Sequence, residues 1–210
     1  MTAGLLYVLS DPGAVPEVEF HEWYDGEHLP LRLALDGVHT ARRLRAADGA
    51  RPGWAAIYDI DVEVLDRPEY TVLRARRSKR EQHVVDRLAI LDRRTYVLHS
   101  DDGQAVAAPA LVVMTSLTVP AGREAELHAW YADEHIPLLH AIPGWSRTRR
   151  YRLRDGAAPR WLAMHELSNP AALDTDAYRL AVSTPRRALV MAAVTQRERR
   201  VWTTHRVFSD

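Results

Sequence analysis

The sequence predicts an α+β fold: two tandem βαββαβ repeats whose four-stranded antiparallel sheets pack face to face as one pseudo-symmetric barrel. Three observations carry that expectation. Residues 21–60 and 128–167 align without a gap at a shift of 107 positions, with 18 of 40 residues identical. Each copy reads as strand, helix, strand, strand, helix, strand. A single sheet with both helices on one side would leave its other face bare, and a second copy covers it.

The elements follow in order. Residues 5–9 and 111–114 are short apolar runs closed by turn formers, hence strands. Residues 16–29 and 122–136 carry apolar side chains at helical spacing, with Pro16 suited to a first turn. Pro30 and Pro137 are expected to end those helices, because proline has no N–H for the ladder. Gly37 and Gly144 open the next strands, and Asp48-Gly49 and Asp155-Gly156 mark hairpin turns. Residues 70–91 and 174–195 read as helices, the second interrupted by Pro185. Residues 94–99 and 200–207 close each copy as strands; after a one-residue slip Tyr96 and His99 fall opposite Trp202 and His205. The domain expectation is a first repeat over 1–100, a linker over 101–109 and a second repeat over 110–210.

Composition narrows the function. The 210 residues balance 28 basic against 28 acidic side chains, which argues against a nucleic-acid binder. The run Arg74-Ala75-Arg76-Arg77-Ser78-Lys79-Arg80 lacks interleaved aromatics and reads as a solvated helix face. With no cysteine, disulfides, thiolate metal sites and thiol nucleophiles drop out. No apolar stretch is long enough to span a bilayer, and the N-terminus Met1-Thr2-Ala3-Gly4 lacks a leader pattern, so a cytoplasmic protein without a membrane partner is expected. No glycine-rich phosphate loop, nucleophile elbow or metal-ligand spacing is present. The expectation is therefore chemistry without cofactor or metal.

The densest identity between the copies is His21-Glu22-Trp23-Tyr24-Asp25-Gly26-Glu27-His28-Leu29-Pro30 against His128-Ala129-Trp130-Tyr131-Ala132-Asp133-Glu134-His135-Ile136-Pro137. Helical spacing puts His21, Tyr24 and His28 on one face, with Trp23 and Glu27 beside them, and the second copy repeats the set. Histidine titrates near neutrality and a phenol can donate to a developing oxyanion, so the cluster suits acid–base work. It equally suits architecture: a histidine in a last turn can cap free carbonyls, and the aromatics can anchor helix to sheet.

The double Trp-Tyr-x-x-Glu-His-Leu/Ile-Pro segment resembles the motif of EthD-like proteins. The whole pattern is similar to the dimeric α+β barrel superfamily of ferredoxin-like folds, with both halves fused in one chain. The resemblance implies His28 and His135 as the first functional candidates. Related barrels include monooxygenases, isomerases, cyclases, decarboxylases, haem enzymes and plain binding proteins.

The expected catalytic residues are thus His28, His135, Tyr24 and Tyr131. Trp23, Trp54, Trp130 and Trp161 would wall a pocket, and His165, where the first copy has Tyr58, adds an imidazole that tips the expectation toward the second half. Arg42 and Arg149 share strand faces with Leu44 and with Trp145 and Tyr151. Each would hold an anionic substrate group or pair with Glu27 or Glu134; Arg43, Arg45, Arg150 and Arg152 fall on the opposite, solvated face. The expected activity is cofactor-independent cyclisation, isomerisation or lyase chemistry on a small apolar, aromatic or polyketide-like molecule. The alternatives are a cofactor-free or haem-dependent monooxygenase and a non-catalytic binding protein. Monomer and homodimer are both compatible with a chain that supplies its own partner sheet.

Overall fold

The computed structural model describes residues 1–209. The eight strands are β1 (Ala3–Asp11), β2 (Val38–Ala46), β3 (Trp54–Asp61), β4 (Ile90–Gly103), β5 (Leu111–Thr118), β6 (Trp145–Asp155), β7 (Trp161–Leu167) and β8 (Gln196–Ser209). They are hydrogen-bonded as a closed barrel in the order β1-β3-β2-β8-β5-β7-β6-β4, which is the expected α+β class. Two compact units divide the chain. One is Met1–Leu98 with Arg154–Ala157 and His205 onward; the other is His99–Leu153 with Ala158–Thr204. β4 runs through Asp101, Asp102 and Gly103, into the segment expected to be a linker.

In the first unit β1 lies between β3 and β4, with Leu6 opposite both Tyr58 and Thr95, and Val8 opposite both Ala56 and Arg93. One side of these strands packs with Phe20, Trp23, Tyr24, Leu29 and Val84 into a single apolar cluster. Phe20 and Leu29 are fully buried there, each contributing about 1.5–3 kcal/mol by removal from water. Leu5, Tyr7, Leu9 and Ile57, on the opposite side, are buried too, so neither side of β1 and β3 is left to solvent. In the second unit β5 lies between β7 and β8, with Val113 opposite His165 and Val201, and Thr115 opposite Ala163 and Arg199.

Two expectations fail for identifiable reasons. The prolines do not end the first helices. In the first copy α1 (Glu17–Trp23) passes into a π-helical turn (Tyr24–His28) and then α2 (Leu29–Leu33), the Leu29 N–H bonding back to Tyr24 O. The wider turn removes the need for an N–H at Pro30 and relieves the clash of its ring with the preceding turn. The second copy repeats this with α5 (Glu124–Trp130), a π turn (Tyr131–His135) and α6 (Ile136–His140). The chain turns four residues after the ends of α2 and α6, at Gly37 and Gly144, whose φ of 95° and 92° favours glycine.

The later helices are also broken. α3 (Pro68–Ala75) and α4 (Lys79–Val85) replace the single helix read over 70–91, because Ser78 is an N-cap that accepts the Glu81 N–H at 2.9 Å. The corresponding pair is α7 (Asp176–Ala181) and α8 (Pro185–Ala192), with Thr184 as the cap accepting from Arg187 N at 3.1 Å. No helix among the described residues is long and apolar enough to cross a membrane.

Candidate active site

Each unit holds a cavity beside its π turn. The first, of about 90 Å³, is lined by Trp23, Tyr24, His28, Arg32, Tyr58 and Glu81, with Tyr70, Arg74, Arg77 and Arg93 at its edges. The second, of about 50 Å³, is lined by Trp130, Tyr131, His135, Leu139, His165 and Arg187, with Tyr178, Arg197 and Arg199. The motif residues occupy the same places in both; the polar network around them does not.

In the first cavity His28 Nδ1 lies 3.1 Å from Glu81 Oε1, and Arg32 Nη2 donates to that same oxygen at 2.9 Å. Arg32 also donates through Nη1 to the His28 carbonyl at 3.1 Å, so it clamps acid and imidazole together. Glu81 and Arg32 are both buried. Burial alone would raise the Glu81 carboxyl, but the His28 bond and the Arg32 charge together hold it below its ordinary value. Burial lowers His28 to about 4, partly opposed by Glu81, so the imidazole is neutral near pH 7. With a carboxylate on Nδ1, that nitrogen carries the proton, and Nε2 keeps a lone pair.

Further polar groups surround this imidazole. Trp23 packs on His28 with ring centroids 4.7 Å apart, and its indole N–H is buried without a hydrogen-bond partner. Tyr58 Oη is buried beside Tyr24 and makes no hydrogen bond of normal geometry. Burial raises both phenols above their ordinary range, so both are protonated donors. The Arg43 guanidinium lies 4.5 Å from the Tyr24 ring centroid and bonds Asp25 at 2.9 Å.

The second cavity replaces this network. His135 Nδ1 bonds the Ala181 carbonyl at 3.2 Å, and Trp130 stacks on the imidazole at 4.4 Å. Burial lowers His135 to about 4 as well. Arg187 occupies the capped-helix position that Glu81 holds in the first copy, and Leu139 stands where Arg32 does. The indole N–H is no longer free: Trp130 Nε1 donates to Glu134 at 3.2 Å. His165 does face this cavity, bonded through Nδ1 to Thr148 Oγ1 at 3.0 Å and pushed well below its usual range, first by burial and then by His135 and His140.

Several expected site residues lie elsewhere. The π turn re-phases the helix, so His21 does not share the cavity with Tyr24 and His28. It stacks on His205 at 5.1 Å and meets the edge of Trp54 at 4.4 Å. His128, His99 and Trp161 form the matching cluster in the second unit. Trp54 and Trp161 therefore wall neither cavity.

Arg42 and Arg149 also miss both cavities, and Arg149 pairs with buried Glu166 at 3.1 Å rather than with Glu134. Bulges between Val38 and Thr40, and between Trp145 and Arg147, invert the strand alternation, so Arg43 and Arg150 face the helices rather than solvent, and they are buried as Arg42 and Arg149 are. Glu27 accepts from Ser78, and Glu134 from Thr184 at 2.5 Å. Among the described residues no group of three or more His, Asp or Glu side chains is placed to hold a metal ion.

No family model matches the chain, and no curated protein matches it. Solved structures do. An anthrone oxidase-like protein superposes with a TM-score of 0.67 at 10% identity, covering 99% of this chain and 93% of its own. A putative monooxygenase from Fusobacterium nucleatum gives 0.65 at 8% identity over 100% and 95%. A chlorite dismutase variant from Candidatus Nitrospira defluvii gives 0.65 at 8% identity over 98% and 93%. At such identities the likeness establishes the fold, a dimeric α+β barrel of two ferredoxin-like repeats, and not the reaction.

Proposed function

We propose that the chain is an EthD-like enzyme that abstracts a proton, without a cofactor, from a small enolisable aromatic or polyketide-like molecule bound in the first cavity. The observation that carries this reading is the Glu81–His28 pair clamped by Arg32. His28 Nε2 accepts the proton from substrate carbon. The Glu81 carboxylate, already bonded to Nδ1–H, stabilises the imidazolium that forms. The Trp23 N–H and the Tyr24 and Tyr58 hydroxyls are the donors available to the enolate oxygen; of these the Trp23 N–H and the Tyr58 hydroxyl have no normal hydrogen bond to give up when they engage it. Collapse of that enolate by ring closure, reprotonation or loss of a leaving group gives cyclase, isomerase or lyase chemistry. His28, Tyr24 and Trp23 carry the site; His135 and Tyr131 hold the corresponding scaffold in the second copy.

The test is deuterium uptake in D₂O at the carbon beside the carbonyl of 4-oxo-4-phenylbutanoate, followed by proton NMR. Wild-type protein should accelerate exchange over buffer, and His28→Ala should abolish the acceleration. Equal acceleration by the two proteins would overturn the reading. A second reading draws on the anthrone oxidase-like and monooxygenase neighbours: the same enolate reacts with dioxygen. Oxygen consumption coupled to substrate loss separates the two.

A further inference from the structure

A second compartment adjoins the first cavity and shares two of its arginines. It measures about 280 Å³ and is lined by Leu65, Asp66, Arg74, Arg93, Thr95, Arg154 and Asp155, so Arg74 and Arg93 belong to both spaces. Three guanidinium groups face two carboxylates there, a surplus of one positive charge. The pairing is uneven. Arg154 is occupied, bonding Asp66 at 2.5 Å and the Val62 carbonyl at 2.9 Å. Arg93 holds Tyr70 Oη at 3.2 Å and approaches Asp155 only to 3.8 Å, while its Nε is buried with no partner. Arg74 makes no ion pair among the described residues and lies over the Tyr70 ring at 6.0 Å. Thr95, 1% exposed, keeps its hydroxyl buried and unpartnered in the same wall.

A buried hydroxyl and a buried guanidinium N–H without acceptors are costly unless something accepts from them. The second copy removes the feature: Val182, which lines the second cavity as Arg74 lines the first, stands in place of Arg74, and Val201 replaces Thr95, while Arg199 remains for Arg93. Strand register fixes the match on the sheet, since Thr95 is opposite Leu6 and Val201 opposite Val113, and on the helix Arg74 and Val182 each lie four residues after a cavity-lining tyrosine, Tyr70 and Tyr178.

From this geometry we infer that the compartment is a binding subsite for an oxyanion on the substrate, held by Arg74, Arg93 and Thr95 Oγ1. The inference rests on the first cavity being where the reacting group binds. It narrows the substrate class to an enolisable aromatic molecule that carries a carboxylate or phosphoryl group on an arm long enough to pass between Arg74 and Arg93. The arginines then serve affinity and orientation, and take no part in proton transfer. Charge-assisted bonds of this kind distinguish an acid from its neutral ester by about tenfold or more.

The experiment is calorimetric titration of the whole protein with 4-oxo-4-phenylbutanoate and with its methyl ester. The acid should bind about tenfold tighter or more, and Arg74→Gln, a change at an exposed side chain, should erase most of that gap while leaving ester affinity in place. Thr95→Val should shrink the gap in the same direction. Inorganic phosphate added as competitor separates the two oxyanions: displacement of the acid assigns a phosphoryl arm, and no displacement assigns the carboxylate. Equal binding of acid and ester to wild type, or a gap unchanged in Arg74→Gln, would overturn the inference. Exchange chemistry without an acid–ester gap removes this subsite and keeps the proposed reaction; a gap without exchange does the reverse.

Discussion

The two copies place the same tryptophan, tyrosine and histidine around a cavity, yet only one gives the histidine an acid. In the first, the helix capped by Ser78 delivers Glu81 to His28, and Arg32 bridges them. In the second, the helix capped by Thr184 delivers Arg187, and Leu139 fills the place of the bridge. His135 is left with a carbonyl, which orients its ring but does not compensate an imidazolium as a carboxylate does. The same motif therefore sits in two different polar settings, and the discriminating side chains lie outside it. The shared part anchors helix to sheet; the unshared part decides whether the imidazole can work as a base.

That contrast can be broken outright. His28→Ala should cost about 10²–10⁴-fold in proton-exchange rate, the usual weight of a general base, whereas His135→Ala should leave the rate within about threefold. NMR exchange rates on the folded variants decide it, and a larger loss in His135→Ala would move the active copy to the second half.

Acid should next act on both copies alike. Burial holds His28, His128 and His135 near 4 in the fold, against 6.5 when unfolded. As pH falls from about 6.5 toward 4 the unfolded chain takes up protons that the folded chain refuses, so stability drops across that window and levels below it. Calorimetry should show an unfolding temperature lower by on the order of 5 °C at pH 4.5 than at pH 7.

Within the first copy, Glu81→Gln should slow exchange about tenfold and shift its acid limb to lower pH, because the carboxylate is what raises His28 against burial. A pH–rate profile that shifts upward would contradict the arrangement. The smallest effect sharpens the comparison by transplanting it. The double change Leu139→Arg and Arg187→Glu should raise the His135 titration point, read from its ring-proton shifts, with little change in exchange rate.

Much of this was legible in the chain. The internal repeat, the alternation in β1 and β3, and Gly37 and Gly144 were enough for the α+β barrel class. Trp23, Tyr24, His28 and His135 could be named from the motif. What was not legible came from local irregularity. A π turn moves His21 off the face that regular helical spacing assigns it, and two bulges exchange the sides on which Arg42 and Arg43 lie. Glu81 and Arg32 were hidden for a different reason: they differ between the copies, so a search for identity passes over them. The signal was available in the Ser78-x-x-Glu81 cap and in the paired exchanges Arg32/Leu139 and Glu81/Arg187.

The π turn has one more consequence, for how this region tolerates changes of chain length. Its five residues hold one more than a regular turn would need, and Pro30 follows directly after Leu29. Deleting Gly26 would restore ordinary helical spacing up to a ring that ordinary spacing cannot seat, and would rotate His28 by about 100° away from Glu81. Gly26 has open space around it and accepts a side chain in place. The position is thus permissive to substitution and closed to deletion, and a library of single-residue deletions across Tyr24–His28 would register the turn as a counted length.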